Sequence, residues 1–125
     1  MTWTGAGAIA LALAVAIGAF GAHGLQGRLD AYSMNIYERA VFYHFVHALG
    51  ILIVSAIAAS DKLPRSPANW VCGLLLAGVV LFSGSLYALA LTGKRILGAI
   101  TPLGGISFLA AWIVLAGAAL RPNRL

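Results

Sequence analysis

Four long apolar stretches divide the chain, at residues 3–22, 36–59, 67–92 and 102–120, with short polar or glycine-containing segments between them. Each is roughly 20 residues or longer, and at ~1.5 Å per residue a helix of that length crosses a hydrocarbon core of about 30 Å. The connections are too short for anything but neighbouring antiparallel helices. The pattern therefore predicts an all-α membrane protein, four transmembrane helices in an up-down-up-down antiparallel bundle, forming one integral-membrane domain over residues 1–125.

Residues at the edges of these stretches set the expected boundaries. Asn35 reads as an N-cap with Glu38 three residues on completing a capping box, and Ser66-Pro67 and Thr101-Pro102 each read as N-cap and first helical residue. The fourth helix has an alternative start near Ile96 with a kink at Pro102. Ala6, Ala10, Ala14, Gly18 and Ala22 recur every fourth position, a stripe along which another helix can approach closely. A signal peptide is a poor description of the first stretch, because no Lys or Arg precedes it and it exceeds a usual signal core. Trp3, Tyr37 and Trp70 fall near helix ends, where interfacial aromatics belong, whereas Trp112 does not.

Composition supports lipid as the solvent. Hydrophobic residues make up 62% of the chain and charged ones 9%, with a mean hydropathy of +0.96, far from the roughly one-quarter charged fraction of soluble domains. The net charge of +5 resides in bases at the ends of apolar runs, such as Arg28, Lys62, Arg65 and Arg121, facing headgroups. No segment interleaves bases with aromatics, so nucleic acid is not an expected partner. A lone Cys72 excludes an internal disulfide or a multi-cysteine metal site. Threading puts Lys62, Arg65, Arg121 and Arg124 at the end shared by both termini (side A) and Arg28, Arg39, Lys94 and Arg95 at the other (side B). The tie breaks towards cytoplasmic termini only when Arg39 is discounted as lying inside a helix.

Candidate chemistry gathers in the side-B half, and NIYERAVFYHFVHALG (35–50) is its centre. His23, Arg39, Tyr43, His44, His47, Ser83, Ser85, Tyr87, Thr101 and Ser107 all fall there, which predicts a polar pocket opening towards side B. Helical geometry sets Arg39, Tyr43, His44 and His47 within an arc of about 140° and Glu38 roughly opposite His47. His47 lies about 16 Å from the expected helix start, so its imidazole needs a partner, with Ser83, Ser85 or Tyr87 as candidates. Such a face serves either as an interhelical network or as a site for a lipid or quinone headgroup, with His23, Arg39, Tyr43, His47, Ser83, Ser85, Tyr87 and Thr101 as candidate residues. Two histidines three apart on one helix cannot clasp both faces of a haem, and no carboxylate lies at the depth of the serines to orient a hydrolytic histidine. The Gly104-Gly105 pair and Gly84 within SGSLY mark expected close helix crossings.

Four motifs, GAFGAHGL (18–25), YHFVHALGIL (43–52), LFSGSLYALAL (81–91) and TPLGGISFLAAW (101–112), resemble the YgdD-like family of small multi-pass bacterial membrane proteins with mitochondrial relatives in animals. The resemblance spans all four helices in order. It implies a compact four-helix protein in an energy-transducing membrane and brings no catalytic or binding residue with it. It also implies that His23 and His47 belong to a recurring pattern, whereas the position of His44 often carries Gln. The expected role is an accessory or assembly component of a larger complex in the bacterial inner membrane, with lipids and a membrane protein or second copy as partners. No metal and no cofactor beyond a bound lipid or quinone is expected. An oligomeric transporter, a channel or a quinone subunit is the alternative; the absence of a carboxylate in helix one weighs against proton-coupled export.

Overall fold

The computed structural model describes residues 2–121. The charge counted at Arg124 lies outside them. Thr2 starts α1 (Trp3–Phe20), its hydroxyl accepting the Gly5 N–H at 3.0 Å. The helix does not stop at residue 22 but passes through a π-helical turn (Gly21–Leu25) before the chain leaves it. The small-residue stripe buries Ala6, Ala10 and Ala14, then shifts from Ala22, which is exposed, to Gly21, which lies under the Tyr37 ring.

The second helix departs from expectation at its start. Asp30, not Asn35, is the N-cap: its carboxylate accepts the Ser33 N–H at 2.8 Å, and α2 runs Ala31–Ala59. Both residue types cap well, and the segment after Asp30 contains nothing that breaks a helix, so the ladder takes the extra turn. Asn35 therefore sits inside the helix, accepting a long 3.5 Å contact from Arg39, and the capping box with Glu38 does not form. At the far end Asp61 takes the left-handed conformation (φ 61°), and the Lys62 N–H returns to the Ile57 carbonyl, a Schellman-type stop.

The third span is two helices in line. α3 (Arg65–Gly78) begins after Pro64 without a side-chain cap, so Ser66 is its second residue and Pro67 its third, where a missing N–H costs nothing. A π-helical turn (Val79–Ser83) joins it to α4 (Gly84–Thr92), which ends at Gly93 with φ 73°. A 3-10 turn (Arg95–Ala99) then leads into α5 (Thr101–Leu120), so the fourth span starts ahead of Pro102. Thr101 is the first residue of α5 rather than its cap.

Four spans, Trp3–Leu25, Ala31–Ala59, Arg65–Thr92 and Arg95–Leu120, are long and apolar enough to cross a membrane. Their contacts run in opposite senses: Thr4 meets Ser55 and Ala10 meets His44; Ala40 meets Ser83 and Ile51 meets Cys72; Leu74 meets Ser107 and Ser85 meets Thr101. That is the antiparallel up-down-up-down bundle. The middle spans are each 39% buried over their most apolar window and the outer ones 22% and 17%, so spans two and three form the spine. The main core, around Ile51, Val54, Val71, Leu75 and Phe108, lies in the side-A half. Glycine sets the closest crossings. A Cβ at Gly78 would enter the Phe108 ring, and one at Gly104 would strike the Phe82 backbone. Gly84, by contrast, is exposed with nothing within 4 Å, so it marks no crossing.

Gly104→Ala should lower stability by about 1–3 kcal/mol, while Gly84→Ala should be neutral or stabilise by up to about 1 kcal/mol; denaturation by SDS from mild detergent measures both. A reversed order would contradict the crossing. Asp30 generates a pH effect. The Ser33 hydrogen bond holds its carboxyl below the ordinary 3.8, so its capping contribution is present above that value and lost as pH falls through the lower folded value. Cα chemical shifts of residues 31–34 should lose helical character in that window, and Asp30→Ala should remove the pH dependence.

Candidate functional site

The buried face of α2 follows three-four spacing through Tyr37, Ala40, His44, His47, Ile51 and Val54. Both histidines thus occupy seam positions, where an aliphatic side chain would serve packing equally well. In hydrocarbon a buried ring nitrogen must find its partner within the protein, and each histidine does so differently.

His44 joins three spans. Its Nε2 lies 2.8 Å from the Ala10 carbonyl oxygen of α1 and its Nδ1 2.8 Å from the Tyr87 hydroxyl of α4. A carbonyl only accepts, so Nε2 carries the proton; in the neutral ring Nδ1 is then an acceptor and Tyr87 donates. Tyr37 repeats the link to α1, its hydroxyl donating to the Ile17 carbonyl, and its ring packs against Tyr87 at 5.4 Å. Ser83 adds a bond from the π-helical turn to the Ala40 carbonyl at 2.8 Å. Tyr37 is therefore a buried strut, 3% exposed, rather than an interfacial aromatic.

His47 faces the other way. Its Nδ1 lies 2.8 Å from the Tyr43 carbonyl of its own helix, so Nδ1 carries the proton and Nε2 the lone pair. The ring stacks on Phe108 at 3.5 Å between centroids, with Tyr43 at 5.8 Å and Trp112 also at 5.8 Å. Phe82 packs on Tyr43 at 4.5 Å and on Phe108 at 5.5 Å, so aromatic rings fill the space beside Tyr43 and His47. None of Ser83, Ser85 or Tyr87 partners His47, contrary to expectation.

The remaining candidates separate. Ser85 and Thr101 bond to each other at 2.6 Å; because the Ser85 hydroxyl donates to the Phe82 carbonyl, Thr101 is the donor between them. They tie span three to span four. His23, in the π-helical turn, is exposed, and so is Arg39, so neither joins Tyr43 and His47. The expected side-B pocket is instead a closed set of interhelical bonds: no fully buried side-chain nitrogen or oxygen among the described residues lacks a partner. A surface depression of about 310 Å³ lies at that end, between Gln26 and Glu38. Among the described residues no three of His, Cys, Asp and Glu come together as a metal site would require. His44 was the residue that sequence reasoning ranked too low. Its signal was available in its three-four spacing from Tyr37, Ala40 and His47.

Residues 17–105 match the family model described as "Protein of unknown function (DUF423)". The chain belongs to this family. The match runs from the end of α1 to the first turn of α5, taking in three of the four motifs whole and the start of the fourth. Among DUF423 relatives, the chain is 50% identical over 109 residues to the UPF0382 membrane protein SH2409 of Staphylococcus haemolyticus, covering 87% of each. It is 48% identical over 119 residues to the UPF0382 membrane protein YwdK of Bacillus subtilis, covering 92% of this chain and 93% of that one. No solved structure matches. Like these relatives, it is a multi-pass bacterial membrane protein, as the motif resemblance implied.

The two histidines should respond differently to removal. Phe at position 44 leaves the Tyr87 hydroxyl without its acceptor, whereas Phe at 47 removes a bond only to the Tyr43 carbonyl, which, like that of Ala10, can still accept the backbone bond of its own helix. A double-mutant cycle on His44→Phe and Tyr87→Phe should give a coupling of about 0.5–2 kcal/mol, and one on His47→Phe and Tyr87→Phe should give none beyond error. Equal couplings would contradict the assignment.

Proposed function

We propose that this chain is a non-enzymatic accessory or assembly component of a larger complex in the bacterial inner (plasma) membrane, with both termini in the cytoplasm. The observation that carries the reading is how the polar side chains are used. His44, Tyr87, Ser83, Ser85 and Thr101, the groups from which a membrane enzyme or carrier would build a site, are committed to bonds between spans. The lipid-facing surface is open to a protein partner. On α5, Leu103, Ile106, Leu109 and Ile113 are 57% to 68% exposed and share one side of the helix, and span four is the least buried span. An apolar helix face in lipid gains little from hydrophobicity alone, so a partner there would be held by packing and by the small residues nearby, such as Gly117.

Photo-crosslinking in native membranes distinguishes this role from its competitors. A benzophenone side chain at Leu109 or Ile113 should give a protein adduct of one defined mass, and deletion of this chain should reduce the assembly containing that partner. The same probe at Ile53, on the outer side of α2, should give lipid adducts. Lipid adducts at all three positions, or an adduct only to a second copy, would sink the accessory reading; the latter outcome would favour an oligomeric transporter or channel.

A further inference from the structure

The two ends of the bundle differ in kind. At side A, where Thr2, the α2–α3 turn and Arg121 converge, the helix ends surround a cavity of about 920 Å³, within the usual range for ligand sites. Three cations, Lys62, Arg65 and Arg121, line it together with one carboxylate, Asp61. Its deeper wall is apolar and small: Ala58, Ala68, Ala118 and buried Cys72 leave the room that larger side chains would fill. The side-B hollow has the reverse character, with Glu38 and no base in its lining.

A second hollow of about 710 Å³ adjoins the first on the outer side of α3. Arg65 and Asn69 line both, and from them the second continues along Trp70, Gly73 and Leu74. Trp70 is 67% exposed, so its ring borders this groove on the lipid-facing surface. Asn69 is held in place: its Oδ1 accepts the Trp3 indole N–H at 2.9 Å. Indole only donates, so the orientation of the amide is set and its two N–H donors are left for the cavities. Pro64 supplies no side-chain cap to α3, so the first N–H groups of that helix add a partial positive charge at the same place.

A cationic cradle joined to an apolar groove at the level of the headgroups has the shape and polarity of one ligand class. We propose that side A holds an anionic phospholipid, its phosphodiester among Lys62, Arg65 and Arg121 and one acyl chain along Trp70, Gly73 and Leu74. A free anion would have no use for the groove. A zwitterionic lipid would bring a fourth cation to three already present. Bases at helix ends commonly face headgroups without forming a site; here the cavity, the oriented Asn69 and the adjoining groove set side A apart from Lys94 and Arg95 at the opposite end.

Native mass spectrometry of the full chain released from detergent tests the site, with dioleoyl phosphatidylglycerol, dioleoyl phosphatidylcholine and inorganic phosphate as probes. Phosphatidylglycerol should bind about tenfold more tightly than phosphatidylcholine. Each of K62Q, R65Q and R121Q should lose about twofold of that preference, and the triple variant all of it. Trp70→Ala should weaken both lipids, and K94Q/R95Q should change neither. Inorganic phosphate should not displace the lipid at matched concentration. The substituted side chains are all exposed, and a melting curve in detergent confirms that each variant is folded; should the triple variant unfold, the single ones carry the result. Equal binding of the two lipids by the wild type overturns the proposal, as does an equal loss in K94Q/R95Q. Displacement by inorganic phosphate would reduce the site to a simple anion site and overturn the lipid assignment.

Discussion

The fold depends on the imidazole of His44 being used at both nitrogens. In water a histidine left without a protein partner loses little. In hydrocarbon it must be satisfied by protein, and here Nε2 binds span one while Nδ1 binds span three. Those two bonds require the Ala10 carbonyl and the Tyr87 hydroxyl to stand on opposite sides of the one imidazole ring, which restricts how the three helices slide against one another. Tyr37 and Ser83 add to the constraint nearer the start of α2, one bonding to Ile17 of span one and the other from the π-helical turn to Ala40. Apolar packing alone would set the register less sharply, since lipid is as good a neighbour for leucine as another helix is.

Small residues bring the helices within reach of these bonds. Ala6, Ala10 and Ala14 let α1 lie against α2 closely enough for a backbone carbonyl to accept from a side chain on the facing helix. Gly104 does the same at the junction of spans three and four, where the Ser85–Thr101 pair forms one turn from the point at which Phe82 meets it. The π-helical turn at Val79–Ser83 supplies both Phe82 and Ser83, so one irregularity of the helix faces spans two and four at once. The polar half of the membrane interior is closed by these bonds, and the room for ligands lies at the opposite end, where small residues and bases surround an open cavity.

Much of this was legible in the sequence. Hydropathy and turn residues delivered four spans and their antiparallel order, because lipid tolerates few alternatives. Boundaries were less legible where two capping residues competed: Asp30 and Asn35 are equally good caps, and only the continuation of the ladder decided between them. The π-helical turns left no mark, since they contain ordinary helix formers. His44, Ser83, Ser85, Tyr87 and Thr101 do join spans, but which of them meets which was not legible. Helical angles set both histidines on the same face; which of them meets Tyr87 depends on a register between spans that no single helix contains. The motif resemblance favoured His47 over His44, whereas the bonds favour His44, which alone of the two uses both ring nitrogens across spans. The side-A cavity left no mark in the sequence because four helix ends, far apart in the chain, line it together.

His44 and His47 hold opposite tautomers, His44 with its proton on Nε2 and His47 on Nδ1. Nitrogen-15 NMR of the imidazoles in micelles at neutral pH, assigned with H44F and H47F, reads this directly from long-range couplings between ring nitrogens and carbon-bound protons. Of the three imidazoles, those of His44 and His47 should show opposite tautomers, with the His44 signals shifted by Tyr87→Phe and the His47 signals left in place. The same tautomer at positions 44 and 47, or a His44 signal indifferent to Tyr87, would contradict the assignment.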